Sequence, residues 1–152
     1  MSVVNQDPQV IATVGAKAFL TQMVAALQHL ALATVHLFMN NFTPTAANVV
    51  GDFEEPDTVA EWAEYVAKAT TSWGAQAIDP TGRVYIVAAP LMQWVGPVVP
   101  FPQNAHGYYV LSAQAGTPLL YSVKFPVPVP IVDDNNVLTL LATFTLPNLQ
   151  LP

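Results

Sequence analysis

The stretch from His106 to Phe125 constrains the fold of this chain more than any other. Its second half alternates strictly, and one side of it is entirely apolar: Leu119, Tyr121, Val123 and Phe125. Because successive side chains of a strand point to opposite faces of a sheet, this apolar side is predicted to be buried. The first half fits the same sheet with Tyr109 on the buried face and Tyr108 and Val110 facing outward. With a turn at 114–117, the stretch predicts a β-hairpin.

A two-stranded hairpin is only marginally stable, so the rest of the chain must supply further strands and a cover for the Tyr109/Tyr121 face. Apolar spacing of three and four residues predicts an N-terminal helix over Ala16–Ala31 and a short helix over Val59–Val66 that begins at Asp57 or Thr58. Strands are predicted at Thr34–Met39, Ser72–Ile78, Arg83–Ala89, Leu91–Val95 and Val137–Leu146.

These elements predict a mainly β fold of the α+β class. We expect an antiparallel sheet or sandwich of about six to eight strands with the N-terminal helix packed on it. The chain of 152 residues is interpreted as one domain, residues 1–152, with a flexible arm at 1–7 and an apolar tail at 147–152.

Two proline-rich stretches interrupt this pattern. Residues 96–103 hold three prolines in the sequence GPVVPFPQ, which excludes a central strand because each proline lacks a donor for the ladder. This stretch is predicted to be an edge or loop that displays Val98, Val99 and Phe101. The alternating stretch Pro126–Pro130 is interpreted either as a stiff connector or as a surface that docks on a neighbour.

The surface must be largely uncharged, because only 9% of the residues are charged and 53% are hydrophobic. A typical soluble domain has about 25% charged residues. Exposed apolar surface usually marks an interface, so we expect self-assembly into a homo-oligomer or packing into a larger complex. A monomer with a surface rich in Thr, Asn and Gln is the alternative. The candidate assembly contacts are Val98, Val99, Phe101, Leu146, Leu149 and Leu151.

Charge and cysteine content exclude several partners. The net charge is −6 with four Lys and Arg residues, too few for a stripe that follows phosphates, so no direct nucleic-acid binding is expected. There is no cysteine and hence no thiolate chemistry. The apolar run from Ala16 to Phe38 contains Lys17 and several Gln and Thr residues and follows no basic segment, so neither a signal peptide nor a membrane span is expected.

No catalytic, cofactor-binding or metal-binding residue is predicted. The histidines are His29, His36 and His106, and nothing in their spacing matches a set of metal ligands. The run Asp133–Asn136 lacks the glycine and the distal glutamate of a calcium-binding loop and is interpreted as a turn, as is Asp79–Gly82. The acidic stretch 54–57 is interpreted as an exposed helix start rather than as a catalytic carboxylate pair.

Four aromatic residues leave a second binding function open. They are Trp73, Trp94, Tyr108 and Tyr109. Exposed rings of this kind stack on sugars, which would make the chain a carbohydrate-binding module, whereas a buried aromatic core would explain the same residues without a ligand.

The order of four short motifs resembles a group of small uncharacterised proteins from tailed-phage structural gene clusters and environmental viral genomes. The motifs are Leu37-Phe38-Met39-Asn40, Thr43-Pro44, Asp52-Phe53-Glu54-Glu55 and Gly107-Tyr108-Tyr109-Val110. The resemblance covers most of residues 18–146. The chain departs from the group in the segment PDTVAEWAEY after Glu55 and in its heavier proline content at 96–102 and 126–130.

The resemblance implies a non-enzymatic virion structural protein, either a capsid decoration or a tail-associated subunit. Its partners would be further copies of itself and other virion proteins, and it would be made in the host cytoplasm before it enters the virion. It implies no catalytic residue and no cofactor. A subunit of a non-viral extracellular filament or surface layer is the alternative structural role.

Overall fold

The computed structural model describes residues 33–45, 47–75, 77–82, 84–89, 91–112 and 119–145. Within these residues the fold is mainly β, and every strand pair is antiparallel, as the sequence predicts. The strands are β1 Thr34–Phe38, β2 Lys68–Ala69, β3 Ser72–Trp73, β4 Ala77–Ile78, β5 Val84–Ala89, β6 Met92–Val95, β7 Asn104–Leu111, β8 Leu119–Pro130, β9 Val137–Leu140 and β10 Thr143–Thr145.

The largest sheet, hereafter the main sheet, has the strand order β2-β1-β7-β8. Its centre is the pairing of β7 with β1 on one side and with β8 on the other, and this second pairing is the predicted hairpin. The predicted turn of the hairpin, 114–117, lies outside the described residues. On the other side of the main sheet, β2 pairs with only two residues of β1, Thr34 and Val35.

The remaining strands form two smaller sheets. One has the order β10-β5-β3 with β4 also paired to β5, and the other consists of β6 and β9. Two predicted strands are divided here, Ser72–Ile78 into β3 and β4 and Val137–Leu146 into β9 and β10. Between β9 and β10, the hydroxyl of Tyr108 accepts a hydrogen bond from the Thr143 amide at 3.1 Å. This bond holds the chain at the bend that separates the two strands.

Both faces of β7 are buried, which corrects the predicted orientation of the hairpin. Tyr108 and Val110 were expected to face outward but are 3% and 0% exposed. Tyr108 lies opposite Val123, and Tyr109 lies opposite Ser122. Because directly opposed residues share a face, Tyr109 and Tyr121 are on different faces, and the predicted common face is wrong. A central strand covered on both sides gives an apolar run without alternation.

Two apolar clusters cover the two faces of the main sheet. The larger one joins the main sheet to β3, β6 and β9 and contains Val35, Leu37, Tyr108, Val110, Trp73, Trp94 and Leu138. The smaller one is aromatic and contains Phe38, Phe53, Tyr109 and Leu111. The ring of Phe38 lies directly over Gly107, where an added Cβ would overlap both that ring and the Val123 carbonyl oxygen. This close packing explains why β7 carries a glycine there.

Residues 54–66, hereafter the covering segment, run along the edge of β1 that β2 leaves open. The Met39 amide donates to the Glu54 carbonyl at 2.7 Å, and the Leu37 amide donates to the Tyr65 hydroxyl at 2.9 Å. The segment therefore satisfies strand donors that no neighbouring strand reaches.

The helix predicted over Val59–Val66 is wrong, because these residues form turns and irregular structure. Asp57 does have the expected capping role, since its carboxylate accepts hydrogen bonds from the amides of Val59 at 2.7 Å and Ala60 at 3.0 Å. The turn does not propagate, because Trp62 and Tyr65 are held in the core and the Tyr65 hydroxyl is held by β1. So short a helix has little intrinsic stability with which to oppose such anchors.

The stretch Pro126–Pro130 is not a connector but the last part of β8. Pro130 lies opposite Asn104 and Val129 opposite Ala105. Within the described residues, β8 pairs on one side only, so it is an edge strand, where proline is tolerated.

The predicted helix Ala16–Ala31, the arm at 1–7 and the tail at 147–152 lie outside the described residues. Of the part of the chain that is described, no helix has the length and apolar character needed to span a membrane.

Candidate functional site

The candidate site is a surface groove between two segments that the core holds in place. The first wall is the covering segment. Its inner side is fixed by the buried rings of Trp62 and Tyr65, and the Trp94 indole donates to the Val66 carbonyl at 2.9 Å. With these anchors in the core, several other side chains of the segment face solvent, and Val59 is 93% exposed.

The second wall is the stretch 96–103, hereafter the proline loop. Backbone hydrogen bonds tie it to the turn after β8 at both ends: the Gly96 amide donates to Asn136 at 2.8 Å, and the Phe101 amide donates to Val132 at 2.8 Å. Asn136 in turn closes the predicted turn by donating to the Asp133 carbonyl at 3.0 Å. The proline loop is therefore a fixed support that projects its valines outward.

The two walls enclose a shallow groove of about 180 Å³, hereafter the apolar groove. Its lining is mostly apolar and consists of Val59, Ala60, Glu61, Ala63, Glu64, Pro97, Val99, Pro100 and Phe101. Val99 is 77% exposed, and the neighbouring Val98 is 62% exposed. Two candidate contacts predicted from the sequence, Val99 and Phe101, thus lie in one groove with Val98 beside it. The other three, Leu146, Leu149 and Leu151, lie outside the described residues.

A larger and more polar cavity of about 570 Å³, hereafter the acidic cleft, adjoins the apolar groove. The two cavities share Glu61 and Phe101. The acidic cleft is lined by Met39, Glu54, Glu55, Asp57, Glu61, Phe101, Pro102, Gln103, Asn104 and His106. Together with Glu64 of the apolar groove, these cavities hold five of the ten carboxylates of the chain.

Two polar side chains of the acidic cleft, Gln103 and His106, have buried atoms that make no hydrogen bond within the described residues. These atoms are the amide nitrogen and oxygen of Gln103 and the Nδ1 atom of His106. Burial and the positive charge of Lys124 lower the pKa of His106, so this imidazole is neutral at physiological pH.

Behind the acidic cleft, Glu55 joins the covering segment to the main sheet. The Tyr109 hydroxyl donates to Glu55 Oε1 at 2.7 Å, and the same oxygen lies 3.0 Å from His36 Nδ1. The His36 ring stacks on Tyr109 with ring centres 5.0 Å apart, and Tyr109 stacks on Phe53 at 4.5 Å. Glu55 is therefore tied to β1 and β7 at once.

The environment of Glu55 favours its charged form. Partial burial raises its pKa, but the His36 imidazole and the Tyr109 hydroxyl outweigh that effect, so the pKa lies below the ordinary value of a glutamate. In the same cluster, burial and the neighbouring Glu55 charge raise the pKa of Tyr65, while burial and the hydrogen bond to Glu55 raise that of Tyr109. Both phenols are therefore neutral donors at physiological pH.

The cluster includes a hydroxyl–imidazole–carboxylate chain, because Thr34 Oγ1 lies 2.9 Å from His36 Nε2. A nucleophile of this kind also needs a substrate cavity and donors for the developing oxyanion. Thr34 and His36 line neither the apolar groove nor the acidic cleft. The stacked His36 ring and its contact with Glu55 instead give the cluster a structural use, fastening the covering segment to the main sheet.

The residues considered for sugar stacking and for calcium binding have structural contacts instead. All four aromatic rings considered for sugar stacking are buried, with Trp73 the most accessible at 8%. Asp133 accepts a hydrogen bond from the Asn135 amide at 3.0 Å inside the predicted turn. Among the residues that the structure describes, no three His, Asp or Glu side chains are grouped so that they could hold a metal ion.

The motif residues that carry the viral resemblance meet in this region. Asn40 donates to the Asp52 carbonyl at 2.8 Å and accepts from the Glu54 amide at 3.0 Å. Asp52 closes a short turn by accepting from the Val49 amide at 2.9 Å. These side chains fix the path from β1 into the covering segment.

Sequence reasoning missed the covering segment and the Glu55 contacts. The alternation in Thr34–Met39 does place His36 and Phe38 on one face, but nothing local indicates that Glu55, nineteen residues later, returns to that face.

Neither a family model, nor a curated protein sequence, nor a solved structure matches the chain.

Proposed function

We propose that this chain is a non-enzymatic structural protein of a virion, built into the particle as a capsid decoration or a tail-associated subunit. The observation that carries the proposal is the apolar groove, which is lined by exposed Val59 from one anchored wall and exposed Val99 from the other. Single exposed valines are common on protein surfaces, but a preformed apolar groove in a chain with so few charges is typical of an interface.

Two further observations support a structural role. The motifs on which the resemblance to viral proteins rests lie in β1 and β7 of the main sheet and along the path that leads from β1 into the covering segment. The titratable cluster of His36, Glu55 and Tyr109 joins the covering segment to the main sheet. The Thr34 hydroxyl, which is the nucleophile beside His36, lines neither the apolar groove nor the acidic cleft.

A carbohydrate-binding module is the weaker alternative, because sugar recognition by stacking needs exposed ring faces. Trp73, Trp94, Tyr108 and Tyr109 are in the core. A subunit of a non-viral filament or surface layer would use the apolar groove in the same way, and the symmetry of the assembly would separate it from a virion protein.

The test combines light-scattering mass with negative-stain images of the purified chain, alone and mixed with virions of a phage that encodes it. Rings, trimers or caps, or binding to the particle surface, support the proposal. Open-ended filaments or flat arrays favour the non-viral alternative. A monomer that stays off the particles and binds a glycan panel contradicts the proposal.

A further inference from the structure

We propose that the apolar groove and the acidic cleft together bind an extended, positively charged segment of a different protein. In this arrangement an apolar side chain of the segment enters the apolar groove, and a neighbouring Lys or Arg reaches the acidic cleft. The inference rests on the proposed function and names the chemistry of the partner at that site.

The sizes of the two cavities fit this occupant. A cavity of about 150 Å³ holds a benzene ring, so the apolar groove of about 180 Å³ accommodates one aromatic or branched side chain. The acidic cleft of about 570 Å³ has room for a long cationic side chain and its water. Because the cavities share Glu61 and Phe101, nearby residues of one extended segment can reach both.

The charges around the cavities select a cation. Glu54 and Asp57 line the acidic cleft, Glu64 lines the apolar groove, and Glu61 belongs to both. Among the residues of the two linings there is no Lys or Arg. Lys124 is near enough to His106 to help lower its pKa, but it lines neither cavity, and four carboxylates outweigh its charge.

The same charges count against a second copy of this chain as the occupant. A second copy carries a net charge of −6 and only four Lys and Arg residues. Of these, Lys68 lies over the Trp94 ring at 6.0 Å, and Lys124 donates to Asn41 at 3.2 Å and Thr43 at 3.3 Å. Two copies meeting at this surface would bring like charges together, which opposes association.

The test measures binding of a dye-labelled hexapeptide of alternating leucine and lysine by fluorescence anisotropy. We expect Val99→Ser and the double variant Glu54→Gln/Glu64→Gln each to raise the Kd about fivefold, through the loss of partial valine burial and of charge attraction. The matched controls are Val127→Ser, an equally exposed valine on β8, and Asp134→Asn, an exposed acid that lines neither cavity; both are expected to leave the Kd within about twofold.

Peptide controls separate the two halves of the site. A hexapeptide of leucine and glutamate and one of serine and lysine are each expected to bind at least about tenfold more weakly, because each keeps only one of the two attractions. Thermal unfolding of each variant checks that the fold is retained. Raised salt should weaken binding of the leucine–lysine peptide, since its charges are only partly buried.

Three results would overturn the inference. The first is a wild-type chain that does not bind the leucine–lysine peptide, and the second is equal loss of binding in the Val127→Ser control. The third is a wild-type homo-oligomer that dissociates in Val99→Ser, which would make a second copy the occupant and leave the proposed structural function standing. Failure of the chain to assemble or to bind particles, with peptide binding intact, would instead contradict the proposed function alone.

Discussion

The two edges of the main sheet are protected by different means. On the β1 side, β2 pairs with only two residues, and the covering segment satisfies the amides of Leu37 and Met39 beyond it. On the β8 side, prolines at 126, 128 and 130 remove backbone donors from the strand. Within the described residues, one edge is closed by added chain that also forms a wall of the apolar groove, whereas the other has no outer partner strand and is made unsuitable for pairing by its prolines.

The direction of Pro130 follows from the backbone. The Ile131 amide donates inward to the Gln103 carbonyl at 3.0 Å. Because amides alternate in direction along a regular strand, Pro130, next to Ile131, has its missing donor on the outer edge. The inner pairing with β7 is therefore preserved while strand addition from outside is discouraged.

The largest loss of stability is expected when Trp62, the main anchor of the covering segment, is removed from the core. Trp62 is 1% exposed and packs in the larger apolar cluster. We expect Trp62→Ala to lower the free energy of unfolding by about 4 kcal/mol, as for other large aromatic truncations in a core. Urea unfolding measures this, with Val59→Ala on the same segment as a control that changes little because Val59 is exposed. A loss below about 1 kcal/mol would mean that the covering segment is not fixed to the core.

Removing one hydroxyl tests whether the covering segment replaces a strand. Tyr65→Phe leaves the buried Leu37 amide without its acceptor, and we expect a loss of about 2 kcal/mol. The specific measurement is hydrogen exchange, in which the Leu37 amide should lose far more protection than the amide of Val110 in β7. Unchanged protection at Leu37 would show that another group can take over this edge.

Glu55 should contribute a smaller amount to the free energy of unfolding, and this contribution should depend on pH. Its pKa is lowered in the folded state, so its stabilisation is complete above the pKa of an unfolded glutamate, about 4.3, and is lost as the pH falls through the lower folded-state pKa. We expect Glu55→Gln to cost about 1 kcal/mol at pH 7, discounted for its partial exposure. Thermal unfolding at pH 7 and pH 3 checks this. A difference that stays the same at both values would contradict the assigned charge.

Replacing a proline at the β8 edge should increase self-association rather than change the free energy of unfolding. Pro130→Thr restores one outward donor, and we expect a change in unfolding free energy within about 0.5 kcal/mol but a higher mass by light scattering at high concentration. Val127→Thr is the control, because it adds no backbone donor. Equal masses for the two variants would show that Pro130 does not guard this edge.

The sequence predicts much of the main sheet because its signals are local. Alternation locates β1 and β8, and Asp79–Gly82 forms the predicted turn, with Gly82 at φ 83° and its amide bonded to Asp79 at 2.9 Å. Val98 and Val99 are exposed as expected, because a stretch with three prolines cannot form a central strand.

What could not be predicted depends on contacts between distant residues. The outward orientation expected for Tyr108 and Val110 assumes a solvent-exposed face, but alternation cannot reveal that a second layer covers β7. The helical spacing of Trp62, Tyr65 and Val66 describes equally well a segment that is fixed residue by residue: the Trp62 ring lies in the core, the Tyr65 hydroxyl accepts from the Leu37 amide, and the Val66 carbonyl accepts from the Trp94 indole. The apolar groove exists only because this segment lies beside the proline loop.

The most direct test of the binding surface is an amide NMR titration of the isotope-labelled chain with the leucine–lysine hexapeptide. The account predicts shift changes that concentrate in residues 54–64 and 97–106, which line the apolar groove and the acidic cleft, with little change along β8. Changes confined to β8, or spread evenly over the surface, would contradict the assignment of the apolar groove and the acidic cleft as the site of docking.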